Sequence, residues 1–174
     1  AKFNRFDMTC PDGAPVRWCL NLFYDANLPT PVTGTGTMLR VCEAAARDGV
    51  SIYLYGSTPD VIEKLKDCLE RRFPGLKIAG AESPPFRPLS PEEDAAMIQR
   101  VNESGAGVFF IGLGSPKQEN FAFEHKGKIH AVQMCVGAAF DFISGNKRRA
   151  PRWMQKAGLE RDHFGDSSGV ITEI

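Results

Sequence analysis

Neither sign of charge is in surplus along this chain: 21 lysines and arginines stand against 21 aspartates and glutamates. Without an overall positive field the chain does not read as a nucleic-acid binder. Its strongest local cluster is Lys147-Arg148-Arg149 with Arg152. Long apolar runs are also missing. None approaches the ~20 residues that a bilayer-spanning helix needs, and no leader-like pattern stands at the start. Histidine is scarce, and His125, His130 and His163 show no metal-ligand spacing with each other or with cysteine. The five cysteines (Cys10, Cys19, Cys42, Cys68, Cys135) are dispersed and form no Cys-x-x-Cys pair. That pattern argues against a structural zinc site and favours reduced thiols in a cytosolic setting over a disulfide framework. Internal repeats and low-complexity tracts are absent. What is present is an ordinary globular mixture, 43% apolar and 24% charged over 174 residues, enough for one domain with a sizeable core.

The apolar spacing then predicts elements. Met38, Leu39, Cys42, Ala45 and Ala46 recur at helical intervals over 35–48, and Gly49 sits where a C-terminal cap belongs. Residues 51–55 follow as a strand, closed by Gly56-Ser57-Thr58. Pro59 opens a second helix with Val61, Ile62, Leu65, Cys68 and Leu69 on one face, stopping before Phe73-Pro74-Gly75. A short strand is expected at 76–79. Prolines exclude a helix from 83–89. Ser90-Pro91-Glu92-Glu93 is a capping box that launches a helix to about Glu103. A strand over 107–113, a helix from Pro116, a buried strand over 129–136 and a short helix from Pro151 complete the pattern. Strands alternating with helices give an α/β fold, a Rossmann-like parallel sheet flanked by helices. Ligands of such sheets bind beyond the carboxyl ends of the strands. The turns after Tyr55, Leu113 and Val136 are therefore expected to share one edge.

Four stretches are candidates for chemistry. Gly112-Leu113-Gly114-Ser115-Pro116-Lys117-Gln118-Glu119 follows an apolar strand and opens a helix. There Ser115 is expected as N-cap and Pro116 in the first turn, with Gln118 and Glu119 beside any ligand. A small-residue turn at a helix start suits an anion, although a plain strand-to-helix connection has the same look. Thr33-Gly34-Thr35-Gly36-Thr37 holds a Gly-x-Gly, but no clear strand precedes it and the third glycine is missing. A threonine-capped helix start explains it at least as well as a dinucleotide fingerprint. Pro11-Asp12-Gly13 reads first as a turn; its functional reading is a carboxylate held ready to accept a proton. Phe140-Asp141-Phe142 puts one acid between two aromatics, either a helix-start charge, a ligand-hydroxyl partner or an organiser of the neighbouring loop. The guanidinium groups of 148–152 suit a diphosphate or form a solvated loop.

Together these pieces occur in one order: TCPDG at 9–13, VTG at 32–34, GLGSPKQE at 112–119 and VGAAFDFISGNKRRAPRWMQKAGLE at 136–160. In that order the chain resembles the WecG/TagA/CpsF family of bacterial glycosyltransferases, from about residue 6 to residue 160. The resemblance implies a glycosyltransferase that uses no metal and no cofactor. The donor is a UDP-sugar of the N-acetylmannosamine type, and the acceptor is an undecaprenyl-diphosphate-linked sugar at the membrane surface. The setting is cytoplasmic, at the inner face of the membrane. Asp12 corresponds to the family's proposed general base and Gln118 to a pocket-lining glutamine. Gly13, Thr33, Gly34, Gly114, Ser115, Lys117, Glu119, Gly137, Asp141 and Arg149 are the further substrate-binding candidates. The same resemblance marks 1–160 as the core, without the family's preceding Thr-x-Asn segment, and 161–174 as a divergent tail. It also puts Pro31 where the family carries arginine. These differences motivate an alternative, a degenerate non-catalytic module that binds a nucleotide sugar or a protein partner. A nicotinamide-dependent oxidoreductase rests on the Gly-x-Gly alone. A homo-oligomer is compatible with either of the first two readings.

Overall fold

The computed structural model describes residues 2–30 and 32–147. They fall into two compact units. The small unit, within Met8–Thr33, is built around helix α1 (Ala14–Tyr24). Gly13 caps α1 with a backbone φ of 85°, and its N–H donates to the Val32 carbonyl at 3.3 Å. Asp12 and Val32 form an isolated parallel bridge beside that bond. The Arg17 guanidinium donates to the Pro29 carbonyl at 2.8 Å, and Asn21 pairs with the Leu28 backbone in both directions. The returning chain is thus fastened along α1. Only Ala14 of this helix is buried, while Trp18, Leu22, Phe23 and Tyr24 are exposed.

The large unit comprises Ala1–Asp7 and Gly34–Lys147. Its elements in chain order are α2 (Gly34–Asp48), β1 (Ser51–Gly56), α3 (Pro59–Arg72), β2 (Lys77–Glu82), α4 (Pro91–Glu103), β3 (Val108–Gly112), α5 (Lys117–Glu124), β4 (Val132–Cys135) and α6 (Ala139–Ile143). The four strands pair in parallel in the order β2-β1-β3-β4. This is the α/β, Rossmann-like sheet that the alternation of elements implies. The order reverses between β1 and β3, which makes their carboxyl ends the switch point of the sheet.

Alternation along β1 and β3 sends successive side chains to opposite faces. Ile52, Leu54 and Phe110 meet Met38 and Cys42 of α2, Leu65 and Leu69 of α3, and Phe140 of α6. Tyr53, Tyr55, Phe109 and Ile111 meet Met97 and Val101 of α4 and Ala122 of α5. Both faces are therefore dry, as a parallel sheet requires. On the second face an aromatic series runs from Tyr53 to Phe109 (5.7 Å), Phe109 to Tyr55 (5.6 Å), Tyr55 to Phe121 (5.2 Å) and Phe121 to His125 (4.0 Å).

Helix starts are set locally. Ser90 and Glu93 form the capping box reciprocally at α4, and Thr58 caps α3. The buried His125 imidazole bridges α5 and α4, with one nitrogen 2.7 Å from the Phe121 carbonyl and the other 2.8 Å from Asp94.

Three expectations are corrected. The strand expected at 76–79 runs over Lys77–Glu82, because pairing with β1 holds the weakly strand-forming Ala79-Gly80-Ala81 extended. The strand expected as buried over 129–136 is only Val132–Cys135, and it lies at the sheet edge with Val132 64% exposed. Ser115 is not the cap of α5. Pro116 holds that position, and Ser115 lies inside a turn closed by the Gln118 N–H donating to the Gly114 carbonyl at 2.9 Å. The peptide bond between Ser115 and Pro116 is cis. The helix expected from Pro151 lies outside the described residues.

Candidate active site

Because β1, β3 and β4 are parallel, the segments that leave them emerge at one edge of the large unit. Hydrogen bonds lace these segments together. The Ser57 N–H donates to the Gly112 carbonyl at 3.1 Å, and Ser83, just beyond β2, donates its hydroxyl to the Ser57 carbonyl at 2.6 Å. Ser57 itself has a positive φ of 57°. Sequence reasoning did not single out Ser57 or Ser83; the Gly-Ser-Thr turn after an apolar strand was the available signal.

Gln118 joins the next two segments. Its side chain is buried at 6% exposure, and Oε1 accepts from the Gly137 N–H at 2.9 Å. Its Nε2 donates to Glu119 Oε1 at 3.0 Å, and its own carbonyl accepts from the Cys135 thiol at 3.4 Å. Glu119 Oε2 is buried and has no hydrogen-bond partner among the described residues. The Cys135 thiol is pushed up to about 11, first by desolvation around the sulfur and then by the negative Glu119, so it stays neutral at physiological pH.

Two glycines permit close approach at this edge. A Cβ on Gly112 would stand 2.7 Å from the Phe140 ring, and one on Gly34 would stand 2.6 Å from the Val136 carbonyl oxygen. The first contact lets Phe140 of α6 lie flat on the end of β3. The second brings the start of α2 against the residue that follows β4. Unpaired N–H groups and the positive end of the helix dipole collect at a helix start. No acid stands in the first turn of α2, whereas Asp60, Glu119 and Asp141 stand in those of α3, α5 and α6. An incoming anion therefore meets least repulsion at α2.

The family match now has a structure to attach to. Residues 1–161 match the model of the Glycosyl transferase WecG/TagA/CpsF family. The chain belongs to that family. It is accordingly a glycosyltransferase-family protein built on a parallel α/β sheet.

Of the residues expected at this family's site, Gly34, Gly114, Ser115, Lys117, Gln118, Glu119 and Gly137 stand on the carboxyl-edge segments of the large unit. Ser115 and Lys117 are exposed. The Gln118 N–H is engaged by Gly114, so among the amides of 114–118 it is closed to a ligand. Asp141 lies in the first turn of α6. Its carboxylate accepts from the Asn146 amide at 2.8 Å, and its carbonyl accepts from the Lys147 N–H at 3.1 Å. Among described groups, then, Asp141 orders the loop after α6.

Asp12, Gly13 and Thr33 belong to the small unit, where Asp12 is exposed. Arg149 and Pro31 lie outside the described residues. No group of three or more His, Cys, Asp or Glu with metal-binding geometry occurs among the described residues. Nor is any described helix long and apolar enough to cross a membrane.

The nicotinamide reading finds no support after its Gly-x-Gly. The ribose-binding acid of dinucleotide-binding sheets stands about 20 residues beyond the glycine-rich turn, at the end of the next strand. Here that strand is β1, which ends at Gly56 and is followed by Ser57. At the tip of β2 the Glu82 carboxylate accepts from Arg100 Nε at 2.9 Å and from a terminal guanidinium nitrogen at 2.8 Å, and also from the Tyr53 hydroxyl. Arg100, followed by the Tyr53 bond, holds this carboxyl below its ordinary value.

Proposed function

We propose that this protein transfers a sugar of the N-acetylmannosamine type from a UDP-sugar to an undecaprenyl-diphosphate-linked acceptor, with inversion and without a metal. The observation that carries the reading is the family match over residues 1–161 on a sheet whose switch-point edge offers helix starts to an anion. In this reading the donor sits at the carboxyl edge of the large unit. Its diphosphate is held at the start of α2, where Gly34 stands, and by cations including Lys117 and Arg149, with Gly114 and Ser115 beside it. Asp12 is the general base, with Gly13 and Thr33 as further substrate-binding residues.

The chemistry is a single displacement. Asp12 takes the proton of the acceptor hydroxyl as its oxygen bonds to the anomeric carbon. The bond to the β-phosphate oxygen breaks, and UDP leaves with the electron pair. A positioned base contributes on the order of 10²–10⁴ in rate, and donors aimed at the leaving diphosphate contribute further.

The test is Asp12→Asn. Transfer to a lipid-diphosphate sugar is expected to fall by about 10²–10⁴, while UDP affinity by calorimetry stays close to wild type. Transfer that survives the substitution removes Asp12 from the role. Wild-type protein that binds UDP-sugar tightly but never turns it over would instead mark a non-catalytic binding module.

A further inference from the structure

The bonds around Gln118 leave one atom unaccounted for. The Gly137 N–H fixes Gln118 Oε1, which turns the amide nitrogen toward Glu119 and engages Glu119 Oε1. The other carboxylate oxygen, Oε2, is then buried with no partner among the described residues. Leaving a buried carboxylate oxygen unpaired is unfavourable, because water would otherwise bond it. A protein that holds one in place, by a bond to a neighbour that is itself anchored, has an acceptor set for something that arrives later.

Glu119 lies in the first turn of α5, tied through Gln118 to the turn after β4, at the sheet edge where the donor is proposed to sit. Its charge selects what the arriving group can be. A carboxylate repels the phosphates of a nucleotide sugar and accepts from hydroxyls.

We propose that Glu119 Oε2 accepts a hydrogen bond from a hydroxyl of the bound nucleotide sugar, and that Gln118 is the positioning residue that aims it. The two sources of such a hydroxyl are the ribose and the hexose. The inference rests on the donor-binding reading given above. It adds that Gln118 acts through Glu119 and not by touching the substrate.

The experiment measures binding of UDP, 2′,3′-dideoxy-UDP and UDP-N-acetylmannosamine by calorimetry to wild type, Glu119→Gln and Gln118→Ala. Thermal unfolding of each variant checks folding, and the charge-retaining Glu119→Asp serves as a second probe. Loss of a hydrogen bond to a charged acceptor is expected to weaken binding about tenfold or more. If the hydroxyl is on the ribose, both Glu119→Gln and Gln118→Ala weaken UDP but leave dideoxy-UDP unchanged. If it is on the hexose, both weaken the UDP-sugar and leave UDP unchanged. A purely structural role for Gln118 would weaken all three ligands alike, and that result overturns its assignment. Equal affinities across wild type and Glu119 variants overturn the inference alone. Wild-type protein that binds no uridine nucleotide overturns the proposed function and this inference with it.

Discussion

Gly112→Ala tests whether the end of β3 and helix α6 are seated on one another. The added methyl carbon would lie 2.7, 2.9 and 2.9 Å from Cδ2, Cε2 and Cγ of Phe140. Carbon atoms rest at about 3.5–4.0 Å, so the ring must retreat by roughly 0.8 Å or more. Phe140 is 1% exposed and packed among Leu65, Val136 and Ala139, which leaves it little room. Overpacking of this kind costs about 1–3 kcal/mol. For a chain of this size that lowers the unfolding midpoint by roughly 2–12 °C. The assay is urea and thermal denaturation of Gly112→Ala, Phe140→Leu and the double variant. Removing ring atoms relieves the clash, so the double variant should lose less than the sum of the singles, by on the order of 1 kcal/mol. Moving α6 also shifts the turn that carries Gly137, so nucleotide affinity should fall in Gly112→Ala. Strict additivity, or an unchanged midpoint for Gly112→Ala, would refute the seating.

Two further outcomes follow from the charged groups. Glu82 has its folded value depressed below the ordinary 4.5, first by Arg100. Its contribution to stability is therefore complete above that ordinary value and is lost as pH falls through the lower folded one. The urea midpoint of Glu82→Gln should lie below wild type at pH 7, and the two should converge in acid; a constant gap down to pH 3 would contradict this. At pH 8 the Cys135 thiol, raised to about 11, is roughly one part in 10³ thiolate although the residue is exposed like Cys10 and Cys19, so alkylation followed by peptide mass spectrometry should label those two well before it. Cys135 labelling as fast as Cys10 and Cys19 would show that its thiol is not held neutral by its desolvated sulfur and neighbouring Glu119.

Where sequence and structure agree, the reason is local. Met38, Cys42 and Ala45, then Val61, Ile62, Leu65 and Leu69, recur at helical spacing because each set faces the same sheet surface. Ser90 and Glu93 needed nothing beyond their own backbone to announce α4. What was illegible depends on partners distant in sequence. The extension of β2 through Gly80 is decided by the ladder to β1 and by the Tyr53 ring lying over that glycine. The edge position of β4 is decided by sheet order, which an apolar run of seven or eight residues does not encode. Helix α1 escaped notice because Gly13 and Pro15 look like turn residues, and most of its apolar side chains do not face a core. At the site, the motifs located the right turns. They could not show that Gln118 is engaged by Gly137, since that bond spans 19 residues and two strand ends.

The aromatic residues are divided unevenly between the two units, and this gives each its own optical reporter. Tyr53 and Tyr55 lie in the ring series beneath α4 and α5, whereas the described tryptophan, Trp18, stands on α1, and Trp153 also falls beyond residue 147. Because Tyr24 on α1 is exposed, near-ultraviolet circular dichroism of the buried Tyr53 and Tyr55 should follow melting of the sheet, and in a Trp153→Phe protein tryptophan emission should follow the segment that carries Asp12. Whether a bound nucleotide steadies one unit or both becomes a question that two wavelengths in one cuvette can answer, without any label.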